Sequence, residues 1–169
     1  MKELITKKAI EERTSELAEQ INRDFADKKD VLVLCALKGA VMFFADLVRQ
    51  LNFDMELDFC APQSYGDGTI SSGKVDMKLA PFTTIKGRDI LLVEDIVDTG
   101  ISLEFCKKYL VDSGAKSVKV AALLDKPTRR RVAVFADYVG FSIEDKFVIG
   151  FGLDKMQKFR NLNGIFVVE

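Results

Sequence analysis

The sequence Leu91-Leu92-Val93-Glu94-Asp95-Ile96-Val97-Asp98-Thr99-Gly100-Ile101-Ser102 joins an apolar run to a polar loop and then to a helical pattern. The apolar run at residues 90–93 predicts a buried strand that ends at two adjacent carboxylates. After the loop, apolar residues take helical spacing at positions 103, 106 and 110. A strand, a glycine-containing loop and a helix N-terminus predict an anion site, because the N–H groups of the first helical turn have no partner within the helix.

Two carboxylates beside an anion site need a ligand of their own. Glu94 and Asp95 would bind ribose hydroxyls or Mg²⁺, so a sugar phosphate with a metal ion satisfies both halves of the pattern. The alternative is structural: Glu94 and Asp95 form a solvated strand end, and Asp98 caps the helix.

Length and composition narrow the class of protein. A chain of 169 residues with 48% hydrophobic and 30% charged residues fits a single globular domain, residues 1–169. The net charge of -1 gives no general attraction to nucleic acid or to an anionic membrane. No apolar run reaches the ~18 residues of a membrane span, and the N-terminus shows no export signal, so the expected location is cytoplasmic.

The residue types limit the chemistry. The sequence contains no His, which excludes a Ser-His-Asp triad and a His-ligated zinc site. Acid–base work then falls to carboxylates, Lys or Tyr, and a metal would be a hard cation on oxygen ligands. The three cysteines, at positions 35, 60 and 106, are expected to pack in the core.

The rest of the chain alternates predicted strands and helices. Helices are expected at residues 4–27, from 41 to about 51, and at 102–112. Strands are expected at residues 31–37, 55–60, 75–79, 90–93, 118–124, 139–141, 147–151 and 165–168. Residues 63–74 predict a long flexible loop, and Arg129-Arg130-Arg131 a solvated turn. This alternation predicts an α/β fold with a central parallel sheet, in which the segments after residues 37, 93 and 124 converge on one cleft.

The motif at residues 94–100 resembles the phosphoribosyl pyrophosphate (PRPP) signature of the type I phosphoribosyltransferases, in the branch that acts on 6-oxopurines. Further motifs at Leu37-Lys38-Gly39, Asp125-Lys126-Pro127 and residues 145–162 are similar to this family. The resemblance implies a central, mainly parallel sheet flanked by helices, a small hood region and a flexible active-site loop containing Ser64 and Tyr65.

The resemblance also assigns roles to residues. It implies that PRPP contacts Lys38, Gly39, Glu94, Asp95, Asp98, Thr99, Gly100, Ile101, Ser102 and Arg160. Asp98 would be the general base, and Lys126, Phe147 and Val148 would bind the purine. Glu94, Asp95 and Asp154 would hold Mg²⁺. In the family the peptide between Lys38 and Gly39 commonly takes the cis form. Lys155 departs from the pattern, which has an aromatic residue there.

These features imply purine salvage: Mg²⁺-dependent transfer of the 5-phosphoribosyl group from PRPP to hypoxanthine or guanine, giving IMP or GMP and pyrophosphate. The resemblance further implies a homodimer or homotetramer without nucleic-acid or membrane partners. Two other functions stay open, a regulator of the same fold that binds nucleotide and RNA, and a transferase acting on xanthine or another base. A P-loop nucleotidase is disfavoured, because its Gly-x-x-x-x-Gly-Lys-Ser/Thr string does not occur.

Overall fold

A computed structural model describes residues 1–65 and 74–168, with only the backbone of Tyr65. Its helices are α1 (Lys7–Phe25), α2 (Val41–Val48) and α3 (Ile101–Asp112). Its strands are β1 (Lys2–Ile5), β2 (Val31–Ala36), β3 (Met55–Tyr65), β4 (Lys74–Leu79), β5 (Asp89–Val97), β6 (Ser117–Asp125), β7 (Tyr138–Ser142), β8 (Val148–Ile149) and β9 (Ile165–Val167).

The strands form two sheets. The six-stranded sheet has the order β4-β3-β2-β5-β6-β7, and all its pairs are parallel except β3 with β4. The three strands β1, β9 and β8 form a small antiparallel sheet, which corresponds to the predicted hood. The predicted α/β fold with a central, mainly parallel sheet is therefore confirmed.

The central strands are buried because helices cover both faces of the sheet. Every residue of β2 is buried, as the continuous apolar run at 31–37 predicted, although the strand ends one residue earlier, at Ala36. On one face α1 and α2 pack against the sheet through Leu17, Phe43 and Leu47, and on the other α3 packs through Leu103 and Leu110. The carboxyl ends of β2, β5 and β6 thus lie at one edge of a rigid core.

The cysteines belong to this core, as predicted. Cys35, Cys60 and Cys106 are free and buried. Burial raises the pKa of Cys35 to about 12, so its thiol stays protonated at neutral pH.

Several boundary predictions are wrong, and strand pairing explains three of them. Residues 4 and 5 belong to β1 rather than to the first helix, because this strand pairs with β9 from the far end of the chain through Lys2, Glu3 and Ile5. The strand at 55–60 continues to residue 65, where it pairs with β4 in an antiparallel hairpin. Strand β5 does not end before the acidic pair, because residues 94, 96 and 97 pair with β6. No helix within residues 1–65 and 74–168 is long and apolar enough to cross a membrane.

Candidate active site

The acidic pair lies within β5, near its carboxyl end. Glu94 is 7% exposed, and its Oε1 has no hydrogen-bond partner among the described residues. The Asp95 side chain points to the other face of the sheet, where its Oδ1 accepts a hydrogen bond from the Ile96 N–H at 2.8 Å. A buried carboxylate oxygen without a donor is costly, so the pair is suited to a bound cation or hydroxyl group.

Both carboxyl groups are easier to protonate than usual. Burial is the main cause that raises the pKa of Glu94 well above its ordinary value, and the negative charge of Asp95 adds to it. Burial likewise raises the pKa of Asp95 to about 6, although the Ile96 N–H and the charge of Arg160 oppose the rise. The folded protein without ligand therefore carries an electrostatic penalty at neutral pH.

This penalty has a pH signature. Between the ordinary pKa of 3.8 and the folded value of about 6, the unfolded chain loses the Asp95 proton while the folded chain keeps it. The contribution of Asp95 to stability should therefore fall as pH rises through this window, by at most about 3 kcal/mol. We expect Asp95→Asn to raise the metal-free melting temperature at pH 7 and to flatten the fall, in melting curves from pH 4 to 7. Asp27→Asn, at an exposed position, is the control, and an unchanged profile in Asp95→Asn would contradict this assignment.

The loop after β5 leads directly into α3. Gly100 adopts a left-handed conformation, with φ of 85°, and its carbonyl oxygen accepts the first helical hydrogen bond, from Glu104 N at 2.9 Å. Gly100 has no side chain to cap the helix, and the loop and the first turn of α3 border a cavity of about 190 Å³. The cavity is lined by Glu94, Asp95, Ile96, Val97, Asp98, Thr99, Gly100, Ser102 and Leu103. Such a site suits a phosphate group.

Ile101 is the one predicted phosphate-loop residue whose side chain does not line this cavity. Its N–H lies 3.4 Å from Thr99 Oγ1. Its side chain borders a separate cavity between β4 and α3, with Val75 and Phe105. A bulky residue fits in the loop because its side chain points away from the proposed phosphate.

The segment after β2 packs directly against the acidic pair. A Cβ atom added to Gly39 would lie 1.7 Å from Asp95 Oδ2, and one added to Gly152 would lie 1.9 Å from the Gly39 carbonyl oxygen. Lys38 is exposed, and its Nζ lies 3.3 Å from Gln157 Oε1. The two glycines thus permit β2, β5 and the segment at 150–160 to approach closely.

The cis peptide bond in this segment joins Leu37 to Lys38, one residue before the predicted bond between Lys38 and Gly39. The prediction was wrong because the sequence carries no signal that tells which of two neighbouring non-proline peptide bonds is cis.

Asp154 and Arg160 form an ion pair beside Asp95. Arg160 lies 3.2 Å from Asp154 Oδ1 and also donates to the Gly152 carbonyl oxygen at 2.7 Å. Asp154 Oδ2 accepts a hydrogen bond from Gln157 N at 2.7 Å. Their charges reach Asp95, where Arg160 lowers and Asp154 raises its pKa. This end of the cleft therefore combines cations with carboxylates, as a metal-bound polyphosphate would require.

The other end of the cleft contains a buried lysine between two carboxylates. Lys126 is 6% exposed, and its Nζ lies 3.9 Å from both Asp98 Oδ2 and Asp145 Oδ1. Phe147 is 47% exposed and begins the segment that continues into β8 with the buried Val148. An exposed ring two residues after Asp145, which pairs with the buried Lys126 ammonium group, suits a flat polar ligand.

A family model described as the phosphoribosyl transferase domain matches residues 1–156 of the chain.

The chain belongs to the phosphoribosyltransferase family.

Its relatives extend over nearly the whole chain. The hypoxanthine-guanine phosphoribosyltransferase of Streptococcus thermophilus (strain CNRZ 1066) is 42% identical over 166 residues, which cover 98% of this chain and 92% of the relative. The enzyme of the same name from Bacillus subtilis (strain 168) is 39% identical over 168 residues, covering 99% and 93%. These identities place the chain in the hypoxanthine-guanine branch of the phosphoribosyltransferases.

Solved structures agree with this placement. A hypoxanthine phosphoribosyltransferase from Staphylococcus aureus has a TM-score of 0.94 and 34% identity, with 100% of this chain and 91% of that chain covered. A hypoxanthine-guanine phosphoribosyltransferase from Bacillus anthracis has a TM-score of 0.93 and 40% identity, with 100% and 99% covered.

Six predicted site residues of this phosphoribosyltransferase line the cavity at the start of α3, and Lys126 lies beside one of them, Asp98. The predicted flexible loop is different. Ser64 and Tyr65 are the last two residues of β3 and pair with Val75 and Lys74. These two residues belong to β3 because β4 continues to pair with them in the antiparallel hairpin. Residues 66–73, which made up most of the predicted loop, lie outside the described residues, as does the Tyr65 side chain.

The prediction of a solvated turn for the arginine run is only partly right: the segment does turn at 127–129, and Arg129 and Arg131 are exposed, but Arg129 and Arg130 also contact the residues around the site. Arg129 Nε lies 3.0 Å from Asp98 Oδ1, and Arg129 also pairs with Asp145 at 3.7 Å. Arg130 contacts Asp125 and the backbone at the end of β5. The run makes these contacts because it follows β6, at the edge of the sheet where the carboxylates lie. Its place directly after a predicted strand was the sequence signal that could have revealed this.

Proposed function

We propose that this phosphoribosyltransferase transfers the 5-phosphoribosyl group from PRPP to N9 of a 6-oxopurine, giving IMP from hypoxanthine or GMP from guanine, with release of pyrophosphate. One observation carries the proposal: Glu94, whose Oε1 has no hydrogen-bond partner among the described residues, comes directly before Asp95 and a loop that borders a phosphate-sized cavity at the start of α3. Ribose hydroxyls suit the carboxylates, and a 5'-phosphate suits the N–H groups.

Each end of the cleft has a part in the reaction. The backbone of Thr99, Gly100, Ile101 and Ser102 would hold the 5'-phosphate, and Lys38 and Arg160 would stabilise the negative charge of the departing pyrophosphate. Asp98 would accept a proton from the purine as the bond between its N9 and the ribose C1' forms. Catalysis would then rest mainly on positioning and on electrostatic stabilisation of the leaving group.

The purine would lie between Phe147 and Lys126, with the backbone of Val148 at its edge. Lys126 would donate a hydrogen bond to the O6 oxygen of the base. Adenine carries an amino group there, which offers a donor where this site needs an acceptor. The buried ammonium group therefore favours 6-oxopurines.

The donor set also fits Mg²⁺. Asp95 and Asp154 would supply carboxylate oxygens from one side of β5. Glu94 points to the other face, and its Oε1, which has no partner among the described residues, would serve a separate metal ion or a ribose hydroxyl group. Among residues 1–65 and 74–168, no three acidic, Cys or His side chains are grouped closely enough to hold a metal unaided. Oxygens of PRPP or water would therefore complete the coordination. When bound, the metal would neutralise the charge of the leaving pyrophosphate.

Lys126→Met tests base recognition. We expect kcat/KM for hypoxanthine to fall roughly 10- to 100-fold with little change in the KM for PRPP, because only the base loses a buried donor. The control is Lys146→Met, since Lys146 is exposed and pairs with Glu144 at 2.8 Å. Steady-state kinetics with each substrate varied in turn measure both constants. An unchanged KM and kcat for hypoxanthine would exclude Lys126 from the base site.

An ultraviolet difference assay tests the function itself. PRPP and Mg²⁺ are mixed in turn with hypoxanthine, guanine, xanthine and adenine, with and without EDTA. We expect turnover of hypoxanthine or guanine that EDTA stops. Turnover of xanthine alone would support the proposed reaction but contradict the proposed base specificity. Failure with every base, while RNA is retained on a filter, would instead indicate a nucleotide-binding regulator.

The chain is further proposed to act as one domain, residues 1–169, within a homodimer or homotetramer. Support for assembly comes from exposed apolar side chains around the edge of α2 and β3. Leu57 and Phe59 share one face of β3 and are 46% and 37% exposed, and Met42 on α2 is 38% exposed. Light scattering after size-exclusion chromatography should give two or four times the chain mass, and a monomer would contradict the proposal.

A further inference from the structure

Arg130 connects the ends of the two strands that carry the proposed active site. Its Nη1 donates hydrogen bonds to the carbonyl oxygens of Val97, at 3.2 Å, and Asp98, at 2.6 Å. Its Nη2 donates to the Asp125 carboxylate at the end of β6. The Arg130 and Asp125 side chains are largely buried, with exposed fractions of 16% and 17%. A planar guanidinium group can make such contacts in fixed directions, which a lysine cannot reproduce.

The same arginine packs under the phosphate loop. A Cβ atom added to Gly100 would lie 2.8 Å from Arg130 Cδ and 2.6 Å from Val134 Cγ1. The neighbouring Arg131 N–H donates to the Thr99 carbonyl oxygen at 2.9 Å. Carbonyl oxygens of residues 97, 98 and 99 therefore all bind the segment at 130–131. Because these carbonyl groups are held on one side, the loop between β5 and α3 is held in a single orientation.

We propose that Arg130 is a positioning residue for the phosphate loop: braced by Asp125, it fixes the carbonyl groups of Val97 and Asp98 so that the following N–H groups point at the 5'-phosphate. The inference rests on the proposed function, since it assigns the loop to PRPP. Arg130 does not contact the reacting atoms. Its effect on catalysis passes through the loop backbone, so it acts mainly on PRPP binding.

Arg130→Met tests this role, with Arg131→Met as the matched control. The Arg131 side chain is exposed and has no hydrogen bond or ion pair with any residue that the structure describes, while its backbone N–H survives the substitution. We expect the KM for PRPP to rise roughly tenfold or more in Arg130→Met, with the KM for hypoxanthine changed less than about twofold. Arg130→Lys should recover only part of this loss, because one ammonium group cannot replace the fork.

A merely structural role predicts a different pattern. In that case Arg130→Met would lower kcat, kcat/KM for PRPP, kcat/KM for hypoxanthine and the melting temperature together, and this result would overturn the proposal. Kinetics of Arg130→Met equal to those of Arg131→Met would also overturn it. If Arg130→Met does not fold, Asp125→Asn provides the test, since it weakens the brace and keeps the arginine. It should raise the KM for PRPP more than that for hypoxanthine, and equal changes would overturn the proposal.

Ribose 5-phosphate separates this inference from the proposed function. If the wild-type protein turns over no base, the proposed function fails, and calorimetric binding of ribose 5-phosphate then decides the role of Arg130. Roughly tenfold weaker binding to Arg130→Met than to Arg131→Met would support it. Equal binding to both variants, or no binding to the wild-type protein, would overturn it.

Discussion

Asp98→Asn is expected to lower turnover of hypoxanthine about 10²- to 10⁴-fold, the usual contribution of a general base. The amide keeps the shape of the side chain and can still accept the hydrogen bond that Arg129 Nε makes at 3.0 Å. It cannot accept the purine proton. Because the 5'-phosphate and pyrophosphate are bound elsewhere in the cleft, the KM for PRPP should change little. Steady-state kinetics with PRPP and hypoxanthine varied separately measure both effects.

Asp145→Asn is the matched control for this variant. Asp145 pairs with the same two cations as Asp98, Lys126 at 3.9 Å and Arg129 at 3.7 Å. The two substitutions therefore remove one negative charge from the same cluster. A role limited to holding these cations predicts equal losses of turnover in both variants. Turnover of Asp98→Asn close to that of the wild type would exclude Asp98 as the general base, whatever the control shows.

Gly152→Ala is expected to lower the free energy of unfolding by about 3 kcal/mol or more. At φ of 99° a side chain costs about 1–2 kcal/mol, and the new Cβ would lie 1.9 Å from the Gly39 carbonyl oxygen, which adds a backbone displacement. Such a loss corresponds to a fall of roughly 6–12 °C in the melting temperature. Because Gly39 itself lies against Asp95, we expect Gly152→Ala to lose activity even at temperatures where the variant stays folded.

Gly87→Ala separates strain from crowding. Gly87 has a similar φ of 76°, but a Cβ atom there would meet nothing within 4 Å. This variant should therefore lose only about 1–2 kcal/mol. Thermal unfolding of both variants gives the comparison. Equal destabilisation would show that the approach of residue 152 to the Gly39 carbonyl carries no cost.

The local pattern of the sequence predicted the central sheet well because its strands are short apolar runs between helices. Residues 31–36 and 90–93 lie in buried strands, and helix α3 ends at the predicted residue 112. The predictions failed where pairing decides the structure. The acidic residues 94–95 read as a loop, but they stay in β5 because β6 continues alongside. Strand β1 exists through pairing with β9, which no local pattern reveals.

The candidate site shows the same division. Motifs carried by residue type, such as Asp98-Thr99-Gly100 and Lys126, led to side chains that do meet in one cleft. Arg130 was missed because two of its three partners are backbone carbonyl groups at the end of another strand. A run of arginines looks like solvated surface unless the topology that brings it to the strand ends is known. Likewise, the importance of Gly152 depends on a contact with residue 39, more than a hundred positions away.

A crystal structure of the protein with IMP would test most directly whether this cleft performs the transfer. The 5'-phosphate is predicted to bind the backbone N–H groups of residues 99–102, with the ribose hydroxyls facing Glu94 and Asp95. The purine should stack on Phe147 with its O6 oxygen within hydrogen-bond distance of Lys126 Nζ. An IMP phosphate bound elsewhere, such as the cavity between β4 and α3 lined by Val75 and Phe105, would contradict the assignment of the site.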